Sequence, residues 1–252
     1  MSMPVVCSIG TTDPWNAAGV GLDIRILAEC GVRAVTVVAA ISAQDAAGVR
    51  AIEPTPPELI REQWASLDRA QIAAVRIGAL CGAAAVRTVA SMLSSSAVPV
   101  VYDPALHASR GGAFADAATV AMIRSELLPT STVCTPNLAE AAELSESHVT
   151  TVAEMEAAAG SLRQLGARAV LVTGGHLAGD PTDVLVDDEG ASRFSAPRID
   201  ISMRGTGCVL SCALAAELAK GVQLKDALER ARAFVRMKIA GAVRTGDFYI
   251  AS

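Results

Sequence analysis

Short β-branched runs alternate with longer Ala/Leu-rich helical stretches along most of this chain. That alternation constrains the fold more than any other feature. The strand candidates are 4–9, 34–39, 74–77, 98–102, 132–135, 169–173 and 182–186. Helix candidates lie between and after them, at 19–30, 57–70, 83–93, 116–127, 138–144, 152–165, 207–220 and 224–243. Continuous apolar strands separated by amphipathic helices imply a mostly parallel sheet covered on both faces. Right-handed crossovers make such a sheet doubly wound. The expectation is a three-layer αβα architecture in one domain spanning 1–252. Ligands of such sheets bind beyond the carboxyl ends of the strands, so strand-end residues are the ones to inspect.

Several polar groups stand at those ends. Strand 4–9 runs into Gly10-Thr11-Thr12-Asp13-Pro14-Trp15-Asn16-Ala17-Ala18-Gly19, and strand 34–39 into Ile41-Ser42-Ala43-Gln44-Asp45. Strand 98–102 ends at Asp103-Pro104-Ala105, 132–135 at Pro136-Asn137-Leu138-Ala139-Glu140, and 169–173 at Thr173-Gly174-Gly175-His176. Each alone reads as a turn residue or helix cap. Their placement at one end of one sheet is what points to a site.

The most specific local signal is Arg204-Gly205-Thr206-Gly207-Cys208, which opens a long Ala/Leu-rich helix. Two glycines permit a tight turn and close ligand approach. The free N–H groups and dipole at such a helix start suit an anion such as phosphate. Cys208 is the first side chain there able to do proton chemistry. A helix N-terminus lowers a thiol pKa, so a thiolate could accept an alcohol's proton; a bound phosphate would oppose that thiolate. A loose phosphoryl-transfer transition state needs little base, which leaves positioning as the other role for Cys208.

The remaining composition excludes more than it assigns. The formal net charge is −5 and no basic block occurs, so a nucleic-acid partner is not expected. The sequence shows neither a membrane-length apolar run nor a signal pattern, so the expectation is a cytoplasmic protein with no membrane contact. Six cysteines without a C-x-x-C pair, and three histidines, argue against zinc. There is no G-x-x-x-x-G-K-[ST] and no G-x-G-x-x-G opening a βαβ unit. A kinase without a P-loop must hold nucleotide phosphates by other amides and a metal. Gly205–Cys208 could supply the first, and Asp103 with Glu140 the second, directly or through water.

The series Thr12-Asp13-Pro14, Ala18-Gly19, Ala43-Gln44, Ile77-Gly78, Asp103-Pro104, Thr135-Pro136-Asn137-Leu138-x-Glu140-Ala141, Gly174-Gly175-His176-Leu177, Ala196-Pro197-Arg198-Ile199 and Gly205-Thr206-Gly207-Cys208-x-Leu210-Ser211 resembles the hydroxymethylpyrimidine/phosphomethylpyrimidine kinases of thiamine biosynthesis, in the ribokinase-like superfamily. The resemblance implies phosphoryl transfer from ATP to the primary hydroxyl of 4-amino-5-hydroxymethyl-2-methylpyrimidine, or to its monophosphate. It implies Mg²⁺ and a homodimer, and it allows a monovalent cation as a further cofactor. Gly205, Thr206, Gly207 and Cys208 then form the catalytic anion hole. Asp13, Trp15, Gly19, Gln44, Ala79 and Ala105 surround the heteroaromatic acceptor, Gln44 at its ring edge. Asp103, Asn137, Glu140, Thr173 and Gly175 serve ATP and Mg²⁺, with Glu140 and Asp103 nearest the metal.

Three positions depart from the family pattern. Trp15-Asn16-Ala17 stands where small tripeptides are usual, Thr173 where a lysine is common, and Ala79 where methionine is common. A large residue gained and one lost imply a reshaped acceptor pocket, with Trp15 stacking on a flat ring or filling space. The alternatives are a same-mechanism kinase for another heteroaromatic alcohol, such as pyridoxine or pyridoxal, and a poorly active ligand-binding relative.

Overall fold

The computed structural model describes residues 3–45, 47–108 and 111–252. Its first half contains β1 (Val5–Thr11), α1 (Gly19–Glu29), β2 (Arg33–Asp45), β3 (Gly48–Pro54), α2 (Pro57–Ala65), β4 (Ile72–Ile77), α3 (Ala83–Leu93), β5 (Val100–Tyr102) and α4 (Ala117–Met122). The second contains β6 (Val133–Cys134), α5 (Leu138–Ser145), α6 (Val152–Gln164), β7 (Ala169–Val172), β8 (Thr182–Asp187), β9 (Gly190–Ser195), α7 (Thr206–Ala219), α8 (Leu224–Ala240), β10 (Val243–Thr245) and β11 (Phe248–Ile250). β3-β2-β1-β4-β5-β6-β7-β8-β9 form one sheet in that order. The run from β2 to β7 is parallel, while β3, β8 and β9 join antiparallel.

The chain leaves β1 to one side for β2 and returns on the other for β4. The strand order therefore reverses between β1 and β4, and the crevice for a ligand opens there. Side chains alternate across the pleat. Cys7, Ile9, Val75, Ile77, Val100 and Tyr102 pack beneath α2, α3, α5 and α6. Val6, Ala74, Val101 and Leu171 face α1, α7 and α8. Helix α7 is buried all round from Val209 to Ala216, as expected of a helix apolar on every side and enclosed by neighbours.

The structure corrects several sequence expectations. β2 runs on to Asp45 and turns back as β3, a strand not expected from the sequence. β9 completes a second hairpin around the Asp188-Glu189 turn. Helix 57–70 stops at Ala65, and Asp68 then caps a short 3₁₀ turn. Helix 116–127 starts on an Asp116 cap and becomes a π-helical turn from Ile123. Helix 224–243 ends at Ala240, with Gly241 as its cap, and the rest forms the β10–β11 hairpin. Tyr249 bridges to Met203, which seats this hairpin beside the start of α7. Among the described residues, no helix is long and apolar enough to cross a membrane.

One strand residue breaks the apolar pattern. Arg76 of β4 faces α1 and α7 and is 1% exposed. Its guanidinium donates to Asp23 at 2.8 Å, to Asp103 at 2.5 Å and to Ser211 Oγ at 3.1 Å. Ser8 and the Cys212 thiol donate to Asp23 in turn. Burial pushes the Asp23 carboxyl up, and Arg76 opposes that. Removing one member of a buried ion pair leaves an uncompensated charge and costs about 3–5 kcal/mol. Arg76→Met is therefore expected to lower unfolding stability by about that much, read as a fall in denaturation midpoint. A midpoint within error of wild type would show that the cluster carries little of the fold's stability.

Candidate functional site

A pocket opens at the reversal between β1 and β4. Thr11 and Thr12 reach it from the end of β1, Ala18 and Gly19 from the start of α1, and Gln44 from the far end of β2. Ala79 lines it after β4, and Ala105, His107, Ala108 and Phe114 after β5. Arg204 and Cys208 close it from the start of α7, and the Arg76 guanidinium forms part of its floor. Ala105 holds φ 41, a left-handed conformation uncommon for a residue with a Cβ. Five of the residues singled out from sequence, Gly19, Gln44, Ala79, Ala105 and Cys208, meet around this one space.

Asp13 and Trp15 do not line it. Asp13 is buried, and its carboxylate accepts N–H groups from Trp15, Ala17 and Ala18 at 3.0–3.1 Å. It shapes the loop between β1 and α1. Asn16 takes φ 49, and the chain carries Trp15 outward. The indole is 51% exposed, meets Phe248 edge-on at 5.9 Å, and borders an outer depression with Ile24, Arg25 and Ile250. The stacking position read for Trp15 is thus replaced by an aromatic contact to the C-terminal hairpin.

The start of α7 is a bare helix end. Gly205 is the N-cap, in the left-handed conformation at φ 76, with no side-chain cap. A Cβ there would lie 2.2 Å from the Ala17 carbonyl oxygen, so only glycine fits. Among the described residues, the N–H groups of Thr206, Gly207 and Cys208 have no protein acceptor. Gly207 is exposed, and a Cβ on it would stand 3.4 Å from Asp103 Oδ1. Three free amides thus lie beside a carboxylate already paired with Arg76.

The Cys208 thiol departs from the sequence expectation. The residue keeps part of its surface on the pocket, but burial pushes the thiol up to about 12, with Arg76 and the Gly19 N–H opposing. Helix-end stabilisation is outweighed by desolvation and by the nearby Asp103 and Asp23 charges. At neutral pH Cys208 is a thiol.

A second cluster lies along the ends of β5, β6 and β7. Asn137 and Glu140 form a reciprocal capping box at the start of α5, with N–H to side-chain distances of 3.1 and 2.9 Å. Glu140 is 5% exposed. Burial and then the Asp103 charge push its carboxyl up to about 7, so the two carboxylates sense each other. Thr173 bridges to Asn137, and Gly174 N–H donates to Asp183. The loop after it is clamped by Arg198, which donates to the carbonyls of Gly175, Leu177 and Gly179 at 2.5–2.9 Å.

Sequence reasoning singled out neither Arg76 nor Arg204 as a site residue, and it gave Arg198 no role. The signal for Arg76 was present: a lone arginine inside the otherwise apolar run Ile72-Ala73-Ala74-Val75-Arg76-Ile77. Arg204 stood next to the glycines but carried no local pattern. Its contact with Phe248 at 5.0 Å depends on the β10–β11 hairpin, which follows the helix expected at 224–243 and was not itself expected from the sequence.

Comparison with known proteins identifies the architecture. The family model described as phosphomethylpyrimidine kinase matches residues 13–251. The chain is 35% identical over 245 residues to the hydroxymethylpyrimidine/phosphomethylpyrimidine kinase of Streptomyces coelicolor, covering 96% of this chain and 90% of that one. It is 37% identical to the Rhizobium meliloti protein of the same name over 244 residues, covering 95% and 92%. The ADP complex of Bacillus subtilis pyridoxal kinase superposes with a TM-score of 0.90 at 29% identity, covering 100% of this chain and 97% of that one. Phosphomethylpyrimidine kinase from Clostridium difficile gives 0.82 at 25% identity, covering 93% and 98%. The ribokinase-like fold expected from the sequence is the one observed, and the chain belongs to the phosphomethylpyrimidine kinase family.

Proposed function

We propose that this protein transfers the γ-phosphoryl group of ATP to the primary hydroxyl of 4-amino-5-hydroxymethyl-2-methylpyrimidine or to its monophosphate. The observation that carries the reading is the meeting of three features at one strand-end crevice. They are a pocket lined by strand-end residues, a helix start with three unpartnered amides, and the Asp103–Glu140 carboxylate pair, Asp103 lying against that helix start. Backbone amides aimed at a transferring phosphoryl stabilise its charge without reorganising. Cys208, held as a thiol, positions the acceptor oxygen in this reading and is not a base. A second reading, a pyridine alcohol such as pyridoxal as acceptor, draws on the likeness to the Bacillus subtilis pyridoxal kinase. The same reading places the enzyme in the cytoplasm as a homodimer.

The residues present suit Mg²⁺. Among the described residues, no group of three His, Cys, Asp or Glu side chains forms a cage. Asp103 and Glu140 are a mutually repelling pair, which a hard cation would relieve. Mg²⁺ commonly binds through one or two carboxylates, completing its shell with substrate phosphates and water. When bound, it would neutralise phosphate charge during transfer. Thr173 and Gly175 would border the nucleotide phosphates, with Arg198 fixing their loop.

Three outcomes test this reading. Gly207→Val should leave the fold intact by circular dichroism, because the added Cβ meets Asp103 at a tolerable 3.4 Å. Its branches would stand between the amides and the phosphoryl group, lowering kcat by about 10²–10³-fold; near-normal kcat in an ADP-release assay would remove the anion-hole role. Glu140→Gln keeps the capping box and should raise the half-saturating Mg²⁺ concentration several-fold while the acceptor KM changes little. Equal Mg²⁺ titrations in mutant and wild type would count against the metal assignment.

The third outcome concerns pH. The folded-state pKa of Glu140 is about 7 against an ordinary 4.5, so the native chain holds this proton more tightly than the unfolded one. The resulting stability is complete below the ordinary value and is lost as pH rises through about 7. Without Mg²⁺, wild type should lose more Tm than Glu140→Gln between those pH values. Parallel Tm–pH curves would contradict the shift.

A further inference from the structure

Arg204 reaches the pocket from the residue just before the Gly205 cap of α7, with its side chain 14% exposed. The polar contacts of its guanidinium are long: 3.4 Å to Gln44 Oε1 and to the Asp45 carbonyl, and 4.0 Å to Asp13 Oδ2. Arginine carries much rotamer freedom, and contacts of that length do little to restrict it. The β10–β11 hairpin supplies firmer ones. The Arg204 N–H donates to the Tyr249 carbonyl at 2.8 Å, Met203 bridges to Tyr249 in parallel register, and the guanidinium lies over the Phe248 ring at 5.0 Å. Side chains alternate along β11, so Phe248 turns inward at 7% exposure while Tyr249 turns outward at 36%. Trp15 covers Phe248 edge-on at 5.9 Å. The chain after β11 is tied to the helices behind it. Arg25 of α1 donates to the Ala251 carbonyl at 2.9 Å, and Lys238 of α8 donates to a main-chain oxygen of Ser252 at 2.6 Å. Phe248 is thus held from behind, and it faces the Arg204 guanidinium.

We propose that Phe248 is a positioning residue for acceptor binding: it holds the Arg204 guanidinium at the pocket wall, where a bound acceptor meets it. A guanidinium lying over a ring is held through its charge, so its N–H donors stay available to a ligand. Phe248 is not among the described residues that line the pocket, so its effect on the acceptor passes through Arg204. Asp103 and Glu140 take no part in these contacts, so nucleotide and metal binding should not depend on Phe248. The inference rests on the phosphoryl-transfer reading of this pocket and adds to it a residue from the C-terminal hairpin.

The test is a double-mutant cycle in an ADP-release assay, with 4-amino-5-hydroxymethyl-2-methylpyrimidine and pyridoxal as acceptors. Phe248→Leu removes the ring and leaves the main-chain contacts of Tyr249 in place. It should raise the acceptor KM roughly fivefold, with kcat and the ATP KM within about twofold of wild type. Phe248→Tyr keeps a ring and should restore the wild-type acceptor KM. Arg204→Met should raise the acceptor KM at least as much, and Phe248→Leu added to it should have no further effect, because the side chain it positions is gone. An unchanged acceptor KM in Phe248→Leu, or additive effects in the double mutant, overturns the inference and leaves the kinase reading in place. A joint change in kcat, both KM values and Tm would mark a merely structural role and overturns it too. If Phe248→Leu does not fold, Phe248→Met takes its place, and a wild-type acceptor KM in Arg204→Met overturns the inference by itself. Acceptors that bind without turnover are compared by calorimetric Kd across the same cycle. Neither binding nor turnover of either compound by wild type overturns the acceptor reading, and this inference with it.

Discussion

The Arg76 guanidinium is the interaction on which the rest of the site depends. It joins β4 to a carboxylate on α1, a carboxylate at the end of β5 and a hydroxyl on α7. These are the elements that frame the crevice. Burial works against its charge, but Asp23 and the other anionic groups around it hold its pKa well above the ordinary value. Its space is guarded by Gly78, where a Cβ would stand 2.3 Å from the guanidinium. Without Arg76, Asp103 would lie as a bare anion beside the amides of α7 and repel any phosphate drawn to them. Paired with Arg76, Asp103 leaves Oδ1 turned toward Gly207, so that carboxylate and amides coexist.

A second constraint joins the loop after β1 to the start of α7. Gly205 lies so close to the Ala17 carbonyl that the loop from Asp13 to Ala18 and the start of α7 form one packed unit. Asp13 ties that loop internally through three N–H bonds. The β10–β11 hairpin then packs on the outside, where Tyr249 accepts the Arg204 N–H at 2.8 Å and Phe248 contacts both Trp15 and Arg204. Residues distant in sequence thus set where Arg204 can reach. The pocket at the β1–β4 crevice is therefore shaped by the β10–β11 hairpin as well as by the strand ends.

The parallel layers were legible because their cause is local. Apolar runs of strand length and Ala-rich helical periods appear directly in the sequence, and helix 83–93 has the expected bounds. The hairpins were not, because β3 and β9 are edge strands with polar, half-exposed residues and little apolar pattern. The glycine-rich start of α7 was visible as chemistry that needs special backbone. Trp15 was read as a ring-stacking residue because it follows strand 4–9 at the end of the sheet where ligands bind and stands where the family has small residues. Its outward turn follows from the Asp13 bonds and the positive φ of Asn16, which a residue pattern does not encode. The lowered thiol expected for Cys208 failed for a similar reason: a helix end is a local feature, whereas burial and the summed charges of Asp23, Asp103 and Arg76 are tertiary.

Charges around the start of α7 are paired, and the way they are paired fits the proposed reaction. Of the two guanidinium groups in the described pocket lining, Arg76 is paired with Asp23 and Asp103, and Arg204 stands 4.0 Å from Asp13. On the nucleotide side of the reading lie Asp103 and Glu140, close enough for the Asp103 charge to raise Glu140. In the proposed reaction a divalent cation would sit with the carboxylates. The three amides of α7 stand between, where a transferring phosphoryl group would be most negative. A thiolate at Cys208 would place a further negative charge at that point. Desolvation keeps the thiol protonated, so in the proposed reaction Cys208 would offer a compact, neutral side chain to the acceptor oxygen. For a loose transition state, in which proton removal from the alcohol supplies little driving force, a neutral positioning group serves better than an anionic base competing with the phosphoryl group for the same positive field.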